Sequence, residues 1–250
     1  MKLIKIIFCA FNEERSLKKL LVDISHEMQS LNTDFEIIAC IDGTTDNSID
    51  LLEAFKKFHQ VKILPPQNSR GLGLAYKRIF LDVVSNCADD DLVISLDADN
   101  THKPEQISEM LEHFKKNNLD VLVASRFCDK SVMAEFPLYR KFISKFTSIL
   151  LQNLFSVRRI SGEKLQDFTS GYRIYKVKKL KKLFALQKND FICEPEFTYT
   201  CELLIKLSRI DCRIDEIPIS YDYGKKVGAS KLRIIRNFYR LIILLIRLKF

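Results

Sequence analysis

Short apolar runs alternate, along the first half of the chain, with longer segments in which apolar side chains return every third or fourth position. Residues 3–10, 35–41, 61–64, 92–96 and 121–124 read as buried strands. Between them lie helical patterns, the first capped by Asn12 and running to about Gln29, the second following Asp46 and running through Phe58. Strand and helix in strict alternation predict an α/β fold with a mostly parallel central sheet covered by helices on both faces. Ligands of such sheets bind beyond the carboxyl ends of the strands, and Asn12, Asp42 and Asp97 all fall there.

Past about residue 127 the alternation breaks. Residues 138–155 predict a long helix, 176–186 a basic one, 194–207 another, and 212–219 a late strand. The closing stretch, 231–250, sets Arg233, Arg236, Arg240 and Arg247 at helical spacing opposite a Leu and Ile face. Its uninterrupted apolar run, 241–246, is far short of the roughly 20 residues a spanning helix needs. Such a helix lies on a membrane, packs on a partner, or folds back onto the core.

The 250 residues are 47% hydrophobic, enough for one substantial core, and no low-complexity linker divides them. The expected division is a single body over 1–230 with an appended basic helix over 231–250. The seven cysteines are scattered without C-x-x-C spacing, and Met1 leads straight into a strand pattern. Both favour reduced thiols and a cytoplasmic protein. The net charge of +8 concentrates in residues 140–159, 176–188 and 225–247, interleaved with Leu, Ile and Phe. That pattern suits a membrane surface, since basic amphipathic helices bury apolar faces beneath anionic headgroups. Nucleic acid ranks last, because aromatic residues do not interleave the basic runs as stacking platforms.

The densest chemistry lies at residues 92–99, where an apolar strand ends in Asp97-Ala98-Asp99. Strand alternation points the two carboxylates the same way and turns Ala98 back, leaving room for a hard cation, Mg2+ or Mn2+, bridged to a diphosphate. The bland reading is a strand end and an Asp cap for the helix that starts near Pro104.

Several further motifs follow one order: Phe11-Asn12-Glu13-Glu14, Ile41-Asp42-Gly43-Thr44-Thr45-Asp46, Gly71-Leu72-Gly73, Asp97 to Glu105, Ser125-Arg126, Arg140 with Ser144, Asp167 to Arg173, Phe191 to Glu196, and Gly228 to Lys231. In this order they resemble the family 2 inverting glycosyltransferases of the GT-A fold, most closely the dolichyl- and polyprenyl-phosphate sugar transferases. The likeness covers nearly the whole chain. It departs at Ile41, where the family's loop carries a first Asp, at Thr101, where some relatives place a Gln metal ligand, and at Glu194, where some have Gln.

The resemblance implies a donor side built from Asn12, Glu14, Asp42, Gly71, Gly73 and Lys231, a metal held by Asp97 and Asp99, and catalytic roles for Arg126, Asp167 and Glu196. It places Arg126, Arg140 and Ser144 on the acceptor phosphate and Ser170, Gly171, Arg173 and Glu194 beside the donor sugar. His102 packs at the helix start, and Lys225, Lys226 and Lys231 neutralise phosphate when their loop closes. The activity implied is transfer of one sugar from a nucleotide diphosphate sugar to a polyprenyl-type lipid phosphate at the cytosolic face of a membrane. Partners would be the membrane surface, a second copy of the chain, or a separate membrane anchor. A rival keeps the fold but uses a sugar hydroxyl as acceptor, which requires Asp167, Glu194 or Glu196 as general base. A third reading is a non-catalytic module that binds nucleotide or membrane.

Overall fold

The computed structural model describes residues 3–66, 71–225 and 234–249. Seven strands form one sheet in the order β3-β2-β1-β4-β7-β5-β8. They are β1 (Ile4–Ala10), β2 (Phe35–Ile41), β3 (Gln60–Leu64), β4 (Leu92–Ser95), β5 (Val121–Ser125), β7 (Arg173–Lys176) and β8 (Ile214–Pro218). The short strands β6 (Val132–Ala134) and β9 (Ser220–Asp222) pair separately. All neighbours in the large sheet run parallel except β7, which is antiparallel to both β4 and β5.

That one reversal builds the site. The carboxyl ends of β1, β2, β4 and β5 lie at one edge of the sheet, and Arg173, the first residue of β7, pairs with both Ser95 and Val123. The turn that feeds β7, residues 167–172, is therefore delivered between the ends of β4 and β5. The sequence pattern does not predict β7, whose four residues Arg-Ile-Tyr-Lys are too few to show a period.

Alternate side chains of β1 enter opposite layers, Ile6 and Phe8 one way and Ile7 the other. The first layer packs under α1 (Glu14–Ser30), α2 (Ser48–Phe55) and α4 (Ile107–Lys116). The second packs under α3 (Leu72–Asn86), α6 (Val177–Gln187), α7 (Tyr199–Ser208) and α8 (Ile234–Lys249), with Leu151 of α5 (Leu138–Leu154) reaching in.

Three elements depart from the sequence reading. Asp97 lies beyond the end of β4 and Ala98 and Asp99 in a turn, so strand alternation does not aim the two carboxylates. Asn12 does not cap α1: its backbone adopts φ of 52° and its side chain joins another loop, while Glu13 stands at the cap position. Helix α7 begins at Tyr199 rather than near Glu194, because Pro195 disfavours helical backbone at Glu194 and the Glu202 carboxylate accepts the N–H groups of Cys193 and Glu194 at 2.9 and 2.8 Å.

Of the three placements open to the closing helix, folding back is the one seen for one face of α8. Leu241, Leu244 and Leu248 enter the core, and Arg236 and Arg247 pair with Glu196 and Glu194 at 2.9 and 3.0 Å. The opposite face stays outside: Phe238, Tyr239, Ile242 and Ile246 are exposed. No described helix is long and apolar enough to cross a membrane.

Candidate active site

On the donor side the loops after β1 and β2 are stitched together by their polar side chains. Asn12 Oδ1 accepts the Thr45 N–H at 2.8 Å, and Thr44 Oγ1 accepts the Asn12 N–H at 3.2 Å. Glu14 accepts the Asn47 side-chain amide at 2.9 Å, and Asp46 accepts the Glu14 N–H at 2.9 Å. Asn12 and Glu14 thus shape the wall in addition to any contact with a ligand. Asp42 follows β2 with both oxygens 2.8 Å from Nη1 of Arg78, whose Nη2 donates to the Pro65 carbonyl. Arg78 escaped the sequence reading, since one arginine within an amphipathic helix carries no signal of its partner. Ile41, where the family's loop carries an Asp, is buried in the core.

Gly71 and Gly73 face protein rather than a ligand. A methyl group on Gly71 would stand 2.3 Å from the Pro195 carbonyl oxygen, and one on Gly73 2.0 Å from that of Glu194. Their smallness lets the 194–196 segment lie against the start of α3, where the Gly73 N–H donates to the Pro195 carbonyl at 2.9 Å.

The turn after β4 is organised by His102. Its Nδ1 accepts the Asp97 N–H at 3.0 Å, its ring stacks on Tyr172 at 4.9 Å, and it is buried. His102 therefore does more than pack at a helix start: it fixes the backbone of Asp97. The Asp97 side chain is 39% exposed, whereas Asp99 is buried and accepts the Thr101 hydroxyl at 2.5 Å. Gly171 leaves space here, since a methyl group on it would stand 3.6 Å from Asp97 Oδ1.

Among the described residues no three His, Cys, Asp or Glu side chains converge as a closed metal cage. The donor set still fits Mg2+ or Mn2+ of the kind that takes one or two carboxylates from protein and the rest from phosphate and water. Asp97, open to solvent beside Gly171, is the more available of the two.

Across the cleft, Arg126 meets Asp167. The Arg126 Nε and Nη2 each lie 2.8 Å from a carboxylate oxygen of Asp167, which also accepts the Arg126 N–H at 3.0 Å. Burial alone would raise the Asp167 carboxyl, but the Arg126 guanidinium outweighs it and lowers it to about 2. Asp167 is consequently a fixed anion and a poor base. Arg126 Nη1 makes no hydrogen bond among the described residues.

Arg126 also lines a groove of about 880 Å3, walled by Phe127, Met133, Leu138 and Phe142 and flanked by Lys141 and Lys145. Arg140 and Ser144, one helical turn apart on α5, do not line it. The Arg140 guanidinium lies 5.6 Å from the Tyr223 ring, at the end of an aromatic series through Phe136 and Tyr221 to His102.

Two expected sugar contacts are buried structural groups instead. Arg173 is fully buried and donates to the carbonyls of Thr200 and Phe168 at 2.7 and 2.8 Å. Glu194 is fully buried between Thr198 and Arg247, and burial raises its carboxyl against those two partners. Ser170 donates to the Ala124 carbonyl at 2.7 Å, tying its turn to β5. Glu196 is partly exposed and paired with Arg236. Lys226 and Lys231 lie outside the described residues, and Lys225 is exposed.

The family model described as Glycosyl transferase family 2 matches residues 5–184. The chain belongs to this family. Its curated relatives include a dolichol-phosphate mannosyltransferase of Pyrococcus furiosus, 26% identical over 95% of this chain and 63% of that protein. An undecaprenyl-phosphate mannosyltransferase of Micrococcus luteus is 29% identical over 57% of this chain and 53% of that protein. The chain thus spans less than two thirds of either relative. Among solved structures, glucosyl-3-phosphoglycerate synthase of Mycobacterium tuberculosis, with Mn2+, UDP-glucose and phosphoglyceric acid, superposes with a TM-score of 0.64 at 16% identity. That match covers 98% of this chain and 79% of the synthase. The family member described here therefore has the GT-A fold, as its motifs imply.

Proposed function

We propose that this glycosyltransferase moves one sugar from a nucleotide diphosphate sugar to a prenyl-type lipid phosphate, with inversion at the anomeric carbon, as a peripheral protein at the cytosolic face of a membrane. The observation that carries the reading is the groove: an apolar trough along α5 with the Arg126 guanidinium on its wall and Lys141 and Lys145 flanking it. A phosphate bearing a hydrocarbon chain matches that pairing of charge and apolar wall. The α5 surface continues it outward, with Leu138, Phe142 and Phe146 exposed by 82, 73 and 53%. The names of the two mannosyltransferase relatives support a lipid-phosphate acceptor.

The donor would lie over the wall formed by Asn12, Asp42 and the loop after β2, with its diphosphate toward Asp97. Asp97 and Asp99 would hold Mg2+ or Mn2+, which would supply positive charge to the leaving group. Gly171 leaves room for the sugar beside Asp97. Arg126 holds the acceptor phosphate on the far side, and Asp167 keeps the Arg126 fork in one orientation. A phosphate monoester has its second pKa near ~6, so the nucleophile is already largely ionised at neutral pH and no protein base is required. This agrees with an acidic set in which Asp167 is held as an anion near 2 and Glu194 is sealed from solvent.

A hydroxyl acceptor would leave Glu196, partly exposed and paired with Arg236, as the carboxylate to serve as base. The two readings separate in one assay: a panel of sugar nucleotides with Mg2+ or Mn2+, with and without polyprenyl phosphate, with the product identified by mass. A glycosyl lipid phosphate is expected. No transfer to lipid phosphate from any donor, with Glu196→Gln abolishing transfer to a sugar hydroxyl, would establish the rival.

A further inference from the structure

Glu216 is a buried carboxylate that the reaction above does not use. It lies on β8 opposite Val123 of β5, with 1% of its surface exposed. Its oxygens accept the backbone N–H groups of Gln166 at 2.7 Å and Asp167 at 3.2 Å. The side chain thereby fastens the 166–167 backbone to β8, and β8 pairs with β5 as far as Ser125, the residue before Arg126, so both members of the Arg126–Asp167 pair are tied to one strand.

The surroundings are crowded with charge. Arg159 donates to the Asp215 carboxylate at 2.7 Å and to the Glu216 carbonyl at 3.4 Å, and His113 meets Asp215 at 2.9 Å. The Asp167 carboxylate and the Cys128 thiol also act on Glu216, and Cys128 lines the groove. Burial raises the Glu216 carboxyl to about 7, opposed by the Gln166 amide. A charge so costly to bury is retained where the backbone amides need a strong acceptor.

We propose that Glu216 is a positioning residue for the acceptor anion: by holding the amides of Gln166 and Asp167 it fixes where the Arg126 fork points into the groove. This rests on the reading of Arg126 as a phosphate ligand. Two physical effects oppose each other and make the proposal decidable. By Coulomb's law alone, removing a negative charge near the site tightens anion binding. Losing the anchor loosens it.

The test measures binding of a prenyl monophosphate in detergent, and separately of UDP and GDP with Mg2+, to the wild-type chain, Glu216→Gln and Arg126→Lys at pH 8. For Glu216→Gln the expected result is about tenfold weaker prenyl phosphate binding, the size of one lost anchoring hydrogen bond. Nucleotide affinity should stay within about twofold, since the donor wall shares none of these partners. Unchanged or tighter prenyl phosphate binding overturns the proposal, as does a parallel loss of both ligands in a folded variant. If Arg126→Lys also leaves prenyl phosphate binding unchanged, the anion-site reading falls with it; if Arg126→Lys weakens binding and Glu216→Gln does not, Glu216 alone is dismissed. Should Glu216→Gln fail to fold, the wild-type chain is titrated with a prenyl sulfate, whose charge is constant between pH 6 and 8. Affinity several-fold weaker at pH 6 is expected, and a flat or opposite profile overturns the proposal.

Discussion

The two sides of the cleft are held together in different ways. On the donor side the wall is made of polar side chains that bond across neighbouring loops, as Asn12 does with Thr45 and Glu14 with Asn47. On the side proposed for the acceptor one ion pair, Arg126 with Asp167, joins segments 41 residues apart in sequence, and the adjoining helix leaves its aromatic residues bare. A stitched polar wall presents preset donors and acceptors to a rigid, polar nucleotide. An anchored charge beside an open apolar face receives a ligand with one charged end and a flexible chain. The difference in construction mirrors the difference in the two substrates proposed.

The largest effect expected from breaking the comparison is on the donor side. Asp97→Asn should lower turnover by about a thousandfold, since charge stabilisation at the leaving group is worth several kcal/mol and each 1.36 kcal/mol is tenfold. Prenyl phosphate binding should be untouched, as read by calorimetry. Loss of both would mean that the two sides are not separable.

Next is stability on the acceptor side. Arg126→Ala leaves the buried Asp167 carboxylate without its guanidinium, and denaturant titration should show a loss of about 3–5 kcal/mol. The pH dependence has a definite sign. Asp167 is lowered from 3.8 to about 2, so its contribution is complete above 3.8 and is lost as pH falls through 2. That contribution is on the order of 2 kcal/mol, and Arg126→Ala should abolish this acid-side slope.

Smallest in stability but specific in location is the bare face of α5. Replacing Phe142 and Phe146 together by Ser should shift unfolding by no more than about 0.5 kcal/mol, because neither is buried. Partition onto vesicles containing anionic lipid should nevertheless fall several-fold. Unchanged partition would move the membrane contact elsewhere, with the exposed Phe238, Tyr239, Ile242 and Ile246 of α8 the next surface to test.

The strands and helices of the first half were legible because each is a run long enough to show its period, and β1 to β5 fall within a few residues of the reading. The antiparallel β7 was not, since four residues following a turn motif look the same whether paired or free. For the site, motifs located positions without giving burial. Arg173 and Glu194 sit where substrate contacts were expected, yet both point into the protein and hold backbone or a neighbouring charge. Gly71 and Gly73 were read as room for a ligand, whereas the crowding comes from Pro195 and Glu194 far along the chain. Arg78 acts through a partner that only the folded topology brings near, so nothing local marked it, and the stretch Glu216 to Tyr221 resembles the family's closing strand without showing what Glu216 holds. The turn in the Asp97 to Glu105 motif is organised locally: His102 binds the Asp97 backbone five residues away.

The claim that acceptor and donor are handled by separate halves meets its most direct test in Arg126→Lys, which keeps a positive charge against Asp167 while removing the planar fork. Sugar transfer to polyprenyl phosphate and hydrolysis of the same sugar nucleotide to free sugar are measured in one reaction, once the donor is known. The account predicts that transfer to the lipid phosphate falls by at least about tenfold while hydrolysis of the donor is preserved. Transfer and hydrolysis falling together in a folded variant, or transfer unchanged, would contradict it.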